Sequence, residues 1–195
     1  TKLGLKPGYF LHVGTLEPRK NLAMLVRAWS GLGKSVREAH PLVFAGGKGW
    51  GDEELQREIR RAPEGIHHLG YVDERLIPAL YRGANSLVMP THYEGYGMPV
   101  VEMRATGGAV ITSLDPAVRE VAGPDTPGVD GQDEDGWRQS MERAASDPAW
   151  LQGQRADGPA WAARHTWDRG ARAVVEACHI AMGTAEGGGQ RTVAA

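Results

Sequence analysis

"SLVMPTHYEGYGMPVVEMRATGGAVITS", residues 86–113, holds two apolar runs separated by a glycine-rich loop and a helical pattern. The runs 86–90 and 109–113 have the length of strands and are far too short to span a bilayer. Pro99 suits the start of the intervening helix, because its missing N–H would be unpaired there and its φ is already helical. Strand, helix and strand in succession argue for parallel pairing. The same alternation runs upstream. A strand at 9–13 precedes a helix through Leu22, Leu25, Val26 and Trp29, and a strand at 41–45 precedes a helix opened by Asp52. A third strand at 65–72 precedes a helix over 73–84 capped by Asp73, and a short helix lies near 116–121. Past Gly131 the strand pattern stops and helices are expected over 137–145, 148–164 and 168–182. The fold class is therefore α/β: a Rossmann-like doubly wound parallel sheet with helices on both faces and C-terminal helices. Residues 1–182 read as one domain. The Gly-rich stretch 183–195 has too little apolar content to pack and is expected to be a disordered tail.

Composition narrows the function. The chain has 195 residues and a net charge of −2 with acids and bases mixed, so no basic face points to nucleic acid or an anionic membrane. No charged and apolar leader opens it, which makes cytoplasmic the default expectation. Cys178 is the single cysteine, cannot form an internal disulfide, and falls in a helical pattern that suggests a core position. No metal site is assigned. Asp133 and Asp135 read as acids opening a helix, His67 and His68 lack spaced partners, and His12 reads as a satisfied buried histidine. "SGLGKS" (30–35) resembles a P-loop ending, but Ala28 stands where the first glycine belongs.

In open α/β sheets ligands bind outside the carboxyl ends of the strands. The loops there are "GTLEPRKN" (14–21), "GGKGWG" (46–51) and "THYEGYGMP" (91–99), where glycines, bases and acids gather. At the last, the N–H groups of Tyr96, Gly97 and Met98 can point out of a helix start whose dipole favours an anion. Gly95 and Gly97 would let a ligand approach the backbone closely. Glu94 and Glu102 flank that seat, and carboxylates in such places suit hydrogen bonds from hydroxyls. Hydroxyls, then phosphates, then hydroxyls describe a nucleotide-sugar. Arg19 and Lys20 sit at another helix start, where cations oppose the dipole unless an anion is near, with Asn21 as a cap.

The segments "FLHVGTLEPRKNL", "LVFAGGKGW", "HHLGYVDERLIPALYRGANSLVMPTHYEGYGMPVVEM" and "SLDPAVREVAG" resemble, in order, the carboxyl-terminal domain of retaining family-4 glycosyltransferases of the GT-B fold, also called glycosyltransferase group 1. Glu94 and Glu102 fit the E-x7-E motif of that family. The resemblance implies that Glu94 takes donor-sugar hydroxyls with the backbone of Gly95, Tyr96, Gly97 and Met98. It places Glu102 on the ribose, Lys20 and Arg19 on the diphosphate, and the segment around Val72 and Leu76 on the base. It also draws Gly14, Thr15 and Gly47 into the donor site, and makes Arg19, Lys20 and Glu94 the catalytic group. Two departures stand out: Thr15 replaces a common Arg, and Met103–Ala109 departs from the usual Ala-Met-x-x-Gly-Thr-Pro.

What is implied is hexosyl transfer from a nucleoside-diphosphate sugar, used as substrate with no cofactor. This chain would supply the donor-binding half and be inactive alone. The acceptor, of unknown identity, would be bound mainly by an N-terminal domain, through which peripheral membrane contact could also come. The alternatives are a non-catalytic nucleotide-binding module, a glycoside hydrolase with paired carboxylates, and a dinucleotide-dependent oxidoreductase. The last requires G-x-G-x-x-G, which "GGKGWG" breaks at Asp52.

Overall fold

The computed structural model describes residues 4–51 and 53–183. The expected opening of a helix by Asp52, and the expected tail beyond Gly183, lie outside the described residues. Six strands form one parallel sheet: β1 (Tyr9–Val13), β2 (Leu42–Ala45), β3 (Ile66–His68), β4 (Ala84–Met89), β5 (Ala109–Ser113) and β6 (Gly128–Val129). Their order is β3-β2-β1-β4-β5-β6, so the chain winds outward from β1 to one edge, then returns beside β1 and winds to the other. The nine α-helices among the described residues are α1 (Leu22–Ser30), α2 (Lys34–Ala39), α3 (Glu53–Arg61), α4 (Ile77–Gly83), α5 (Met98–Ala105), α6 (Pro116–Ala122), α7 (Glu134–Ser146), α8 (Pro148–Ala162) and α9 (Trp167–Ala181).

Strands buried on both faces need apolar side chains at successive positions, and the two-residue pleat sorts them into two cores. Phe10, Leu42, Phe44, Val88 and Ile111 face Leu25 and Trp29 of α1, Leu55 of α3, and Trp137 and Met141 of α7. Tyr9, Leu11, Val43, Leu87 and Val110 face Leu80 and Tyr81 of α4, Val100 and Met103 of α5, and Val118 and Val121 of α6. This is the doubly wound sheet expected from the alternation.

Several details differ from the sequence reading. β3 is shorter than expected and lies at the sheet edge, so His67 and His68 are both exposed. α2 and β6 were not foreseen, because six residues give less than two helical turns and two residues show no alternation. Cys178 lies on α9 and is exposed rather than in a core. The periodicity showed that α9 has an apolar face but could not show what covers it. Asp133 and Asp135 behave as helix-opening acids: Asp133 accepts from the Gly136 N–H at 2.9 Å, and Asp135 pairs with Arg138 at 2.9 Å.

Candidate functional site

The strand order reverses between β1 and β4, and the loops leaving their carboxyl ends meet above the sheet. The first, after β1, passes through a short 3-10 turn at Pro18–Lys20 into α1, and the second, after β4, leads into α5. They are tied by backbone and side-chain hydrogen bonds. The His92 N–H donates to the Arg19 carbonyl at 2.8 Å, and the Thr91 hydroxyl donates to the same carbonyl at 3.0 Å. Asn21, expected to cap α1, is at the N-cap position in the left-handed region (φ 55°) but does not cap with its side chain. Its amide donates instead to the carbonyls of Gly131 (2.7 Å) and Pro90 (3.3 Å), fixing the β1 loop against the β4 strand end.

Glu94 is the centre of this junction. Arg19 donates to one carboxylate oxygen at 2.8 Å, and Lys20 forms an ion pair with the other. The Thr91 hydroxyl lies 3.3 Å from the oxygen that Lys20 engages. Lys20 and Glu94 side chains are each only 8% exposed, so this pair is largely withdrawn from water. Burial by itself would raise the Glu94 carboxyl, but hydrogen bonds from Lys20 and Arg19 outweigh it and hold the group below the usual carboxylate range. Arg19 is held further up by the Glu94 hydrogen bond; it also pairs with Glu17 at 2.6 Å and lies 5.7 Å over the Tyr93 ring. Two cations and two carboxylates thus close on one another.

Beside this cluster is the start of α5. Gly97 is its N-cap residue at φ 94°, ψ 40°, a conformation that favours glycine. A Cβ there would also come within 3.1 Å of Val121. Gly95, by contrast, has open space where a Cβ would go. Among the described residues no backbone carbonyl accepts from the N–H groups of Tyr96, Gly97 or Met98, so three donors remain at the positive end of the helix.

Glu102 lies within α5, eight positions after Glu94. It accepts a 2.7 Å hydrogen bond from the Tyr81 hydroxyl of α4, and no cation pairs with it among the described residues. Burial, and then the adjoining Glu102 charge, drive the Tyr81 phenol well above its ordinary range, so it remains a donor. Glu102 and Tyr81 open onto a recess of about 560 Å³ whose other walls are Val13, Glu74, Ile77, Pro78, Ala105 and Thr106.

Other expected site residues are placed as follows. Gly14 lies beside Lys20, Thr15 is exposed next to it, and Gly47 is exposed in the loop after β2. The Gly47 carbonyl accepts from the Leu16 N–H at 3.0 Å. Gly46 and Gly49 are required by packing between loops, since a Cβ would fall 1.9 Å from the Gly14 carbonyl oxygen and 2.3 Å from that of Leu16. Those glycines seat one loop on another, which accounts for the incomplete dinucleotide pattern. Val72 is buried in the core and Leu76 packs against it; the recess beside Glu102 is lined instead by their neighbours Glu74, Ile77 and Pro78. Trp50, 71% exposed, lines a separate recess of about 390 Å³ with Glu17, Arg19 and Tyr93.

Residues 1–152 match the family "Glycosyl transferases group 1". The chain belongs to that family. Among its relatives is the O-antigen chain mannosyltransferase B of Escherichia coli, 35% identical over 163 residues; the match covers 83% of this chain and 43% of the relative. The chain therefore spans less than half the length of that enzyme. Among solved structures, the C-terminal domain of a Francisella tularensis glycosyl transferase group 1 protein aligns with a TM-score of 0.70 at 21% identity, covering 82% of this chain and 87% of that one. Anabaena Alr3699/HepE, solved with UDP and glucose, aligns with a TM-score of 0.70 at 16% identity, covering 80% and 44%. The fold is thus that of the C-terminal domain of GT-B glycosyltransferases, as the resemblance implied.

Two residues of this glycosyl transferase domain were not singled out as site residues and now adjoin the site. Tyr81 had no signal beyond a helical pattern. His12, expected to be a satisfied buried histidine, is fully buried but only half satisfied. Its Nδ1 meets the Val88 carbonyl at 3.2 Å, while Nε2 has no partner. Burial lowers its pKa to about 4, so the ring is neutral at neutral pH.

Proposed function

We propose that this chain is the donor-binding domain of a retaining hexosyltransferase that uses a nucleoside-diphosphate sugar. The observation that carries the reading is the Glu94 cluster: a carboxylate between Lys20 and Arg19, beside three unengaged N–H groups at the start of α5. Lys20, Arg19 and the N–H groups of residues 96–98 would bind the diphosphate. Glu94 and the backbone around Gly95 would take sugar hydroxyls. Glu102, oriented by Tyr81, would accept from the ribose, and the recess toward Glu74, Ile77 and Pro78 would receive the base. Gly14, Thr15 and Gly47 would border the phosphates. Support comes from the family and from a neighbour of the same fold solved with UDP and glucose.

Departure of the diphosphate builds negative charge, and each preorganised donor aimed at it contributes about 3–4 kcal/mol to such reactions. In this reading the donors are Lys20, Arg19 and the helix start, and the anomeric configuration is kept. The acceptor would bind to an N-terminal domain. α9 supports the presence of such a partner: every residue of it is exposed, yet Trp167, Ala171, Val174, Val175 and Cys178, with Met182 just past its end, form one apolar stripe. We place that stripe against the rest of the enzyme, with residues 1–182 as one domain and the chain alone unable to transfer sugar in the cytoplasm.

The test is a thermal-shift and calorimetric series on this chain with nucleoside diphosphates and their sugar esters. Selective stabilisation by one base is expected, lost in Glu102→Ala. No stabilisation by any of them, or an unchanged affinity in Glu102→Ala, contradicts the reading.

A further inference from the structure

Among the described residues three buried side-chain atoms have no hydrogen-bond partner: Arg104 Nε, Gln154 Nε2 and His12 Nε2. The first two belong to one cluster beneath α8, where Arg104 donates to the Gln154 carbonyl at 2.7 Å. His12 stands at the site. The Val88 carbonyl can only accept, so Nδ1 must carry the proton of the neutral ring. Nε2 is then a bare lone pair, sealed from solvent at the end of β1.

The glycine that follows the strand shows what this lone pair faces. A Cβ placed on Gly14 would lie 3.6 Å from His12 Nε2, 3.7 Å from Lys20 Cε and 3.8 Å from Lys20 Nζ. The acceptor and the ammonium therefore flank one small space, kept open by the missing side chain. Lys20 has three N–H donors, and among the described residues only Glu94 accepts from them. A phosphate that displaced Lys20 from Glu94 could not satisfy Nε2, because ionised phosphate oxygens carry no proton. The ammonium can satisfy both.

We propose that His12 is a positioning residue for Lys20: when a ligand's diphosphate draws the ammonium from Glu94, His12 Nε2 accepts one of its N–H groups and holds it over Gly14. This rests on the donor-binding reading and adds a residue which that reading does not use. It explains why a histidine occupies a fully buried position whose neighbours in the sheet, Phe10 and Phe44, are apolar.

The test uses ¹⁵N NMR of the 195-residue chain titrated with uridine diphosphate, guanosine diphosphate and inorganic pyrophosphate. The His12 Nε2 resonance should move on saturation in the wild type and stay still in Lys20→Met. Shifts of the 96–98 amides with an unmoved Nε2 overturn the role of His12 alone. Silence at those amides with all three probes overturns the donor-binding reading and this inference with it. A second arm compares variants. His12→Asn retains a donor for Val88 but has nothing at the Nε2 position, and should weaken diphosphate binding about tenfold, as for one hydrogen bond to a charged group. His12→Gln places an acceptor near Nε2 and should stay within about threefold of the wild type. Equal losses in the two, or no loss in His12→Asn, contradict the proposal. If either variant fails to fold, the Nε2 signal of the wild-type protein decides.

Discussion

The two acids of the β4–α5 segment stand eight residues apart and live in opposite electrostatic settings. Glu94 is clamped by two cations that offset its charge, while Glu102 accepts from a neutral phenol and faces a recess. Residue type is the same, but the surroundings place one acid in an ion cluster just before α5 and leave the other, within α5, as an acceptor beside a recess. An anion arriving at the first must compete with Glu94 for Lys20 and Arg19. A hydroxyl arriving at the second competes with nothing charged. The difference supports the proposed reading, in which phosphate binds at the first and ribose at the second.

If, as proposed, the chain acts together with an acceptor-binding half, Lys20→Met in that whole enzyme should lower turnover by about 10²–10³-fold, the size found when one preorganised donor is removed. Steady-state rates with a matched nucleotide-sugar check this, and a loss below tenfold would detach Lys20 from the leaving group. Acid should act at the Glu94 end. His12 titrates near 6.5 when unfolded and near 4 when folded, so the unfolded chain binds more protons between those values. Stability should therefore fall as pH drops from about 6.5 to about 4, by up to the order of 3 kcal/mol. Glu94, held low by its cations once its burial is overcome, adds a further loss at still lower pH. Denaturant midpoints across that range should show the first loss in the wild type and not in His12→Asn.

At the other end, Glu102→Gln removes the charge but not the shape. Nucleoside-diphosphate affinity should fall about tenfold with little change in inorganic pyrophosphate affinity, in keeping with the loss of one charged hydrogen bond. Equal losses for both ligands would place Glu102 on the phosphates. A smaller effect is expected from Gly97→Ala, which forces a side chain into a left-handed conformation within 3.1 Å of Val121. It should cost about 1–2 kcal/mol of stability and lower the melting temperature by several degrees.

Much of the fold is legible in the sequence. Apolar runs such as Leu42–Ala45 and Ala109–Ser113 sit between helical patterns, and with parallel strands that alternation admits few topologies. Glycines and charges gathered in the loops that the strand order then brought to one edge. The pairing of Glu94 with Lys20 was not legible, because it joins residues 74 positions apart through side-chain rotamers rather than through any local period. Sequence logic gave both acids hydroxyl-binding roles. It could not see that one of them pairs with Arg19 and Lys20, the two cations that the resemblance places on a diphosphate. His12 escaped for a related reason: a polar residue within a buried strand shows that it needs a partner, not that one of its two nitrogens lacks one. The exposure of Cys178 is a third case, since a helical stripe fixes a face without naming what lies against it.

The most direct measurement is calorimetry of a free nucleoside diphosphate and its sugar ester with the wild type and Glu94→Gln. If Glu94 holds the place that phosphate takes, the variant should bind the free diphosphate several-fold more tightly, about 1 kcal/mol, because both cations lose a competitor. The preference for the sugar ester should drop at the same time. Weaker or unchanged binding of the free diphosphate in Glu94→Gln would contradict the account.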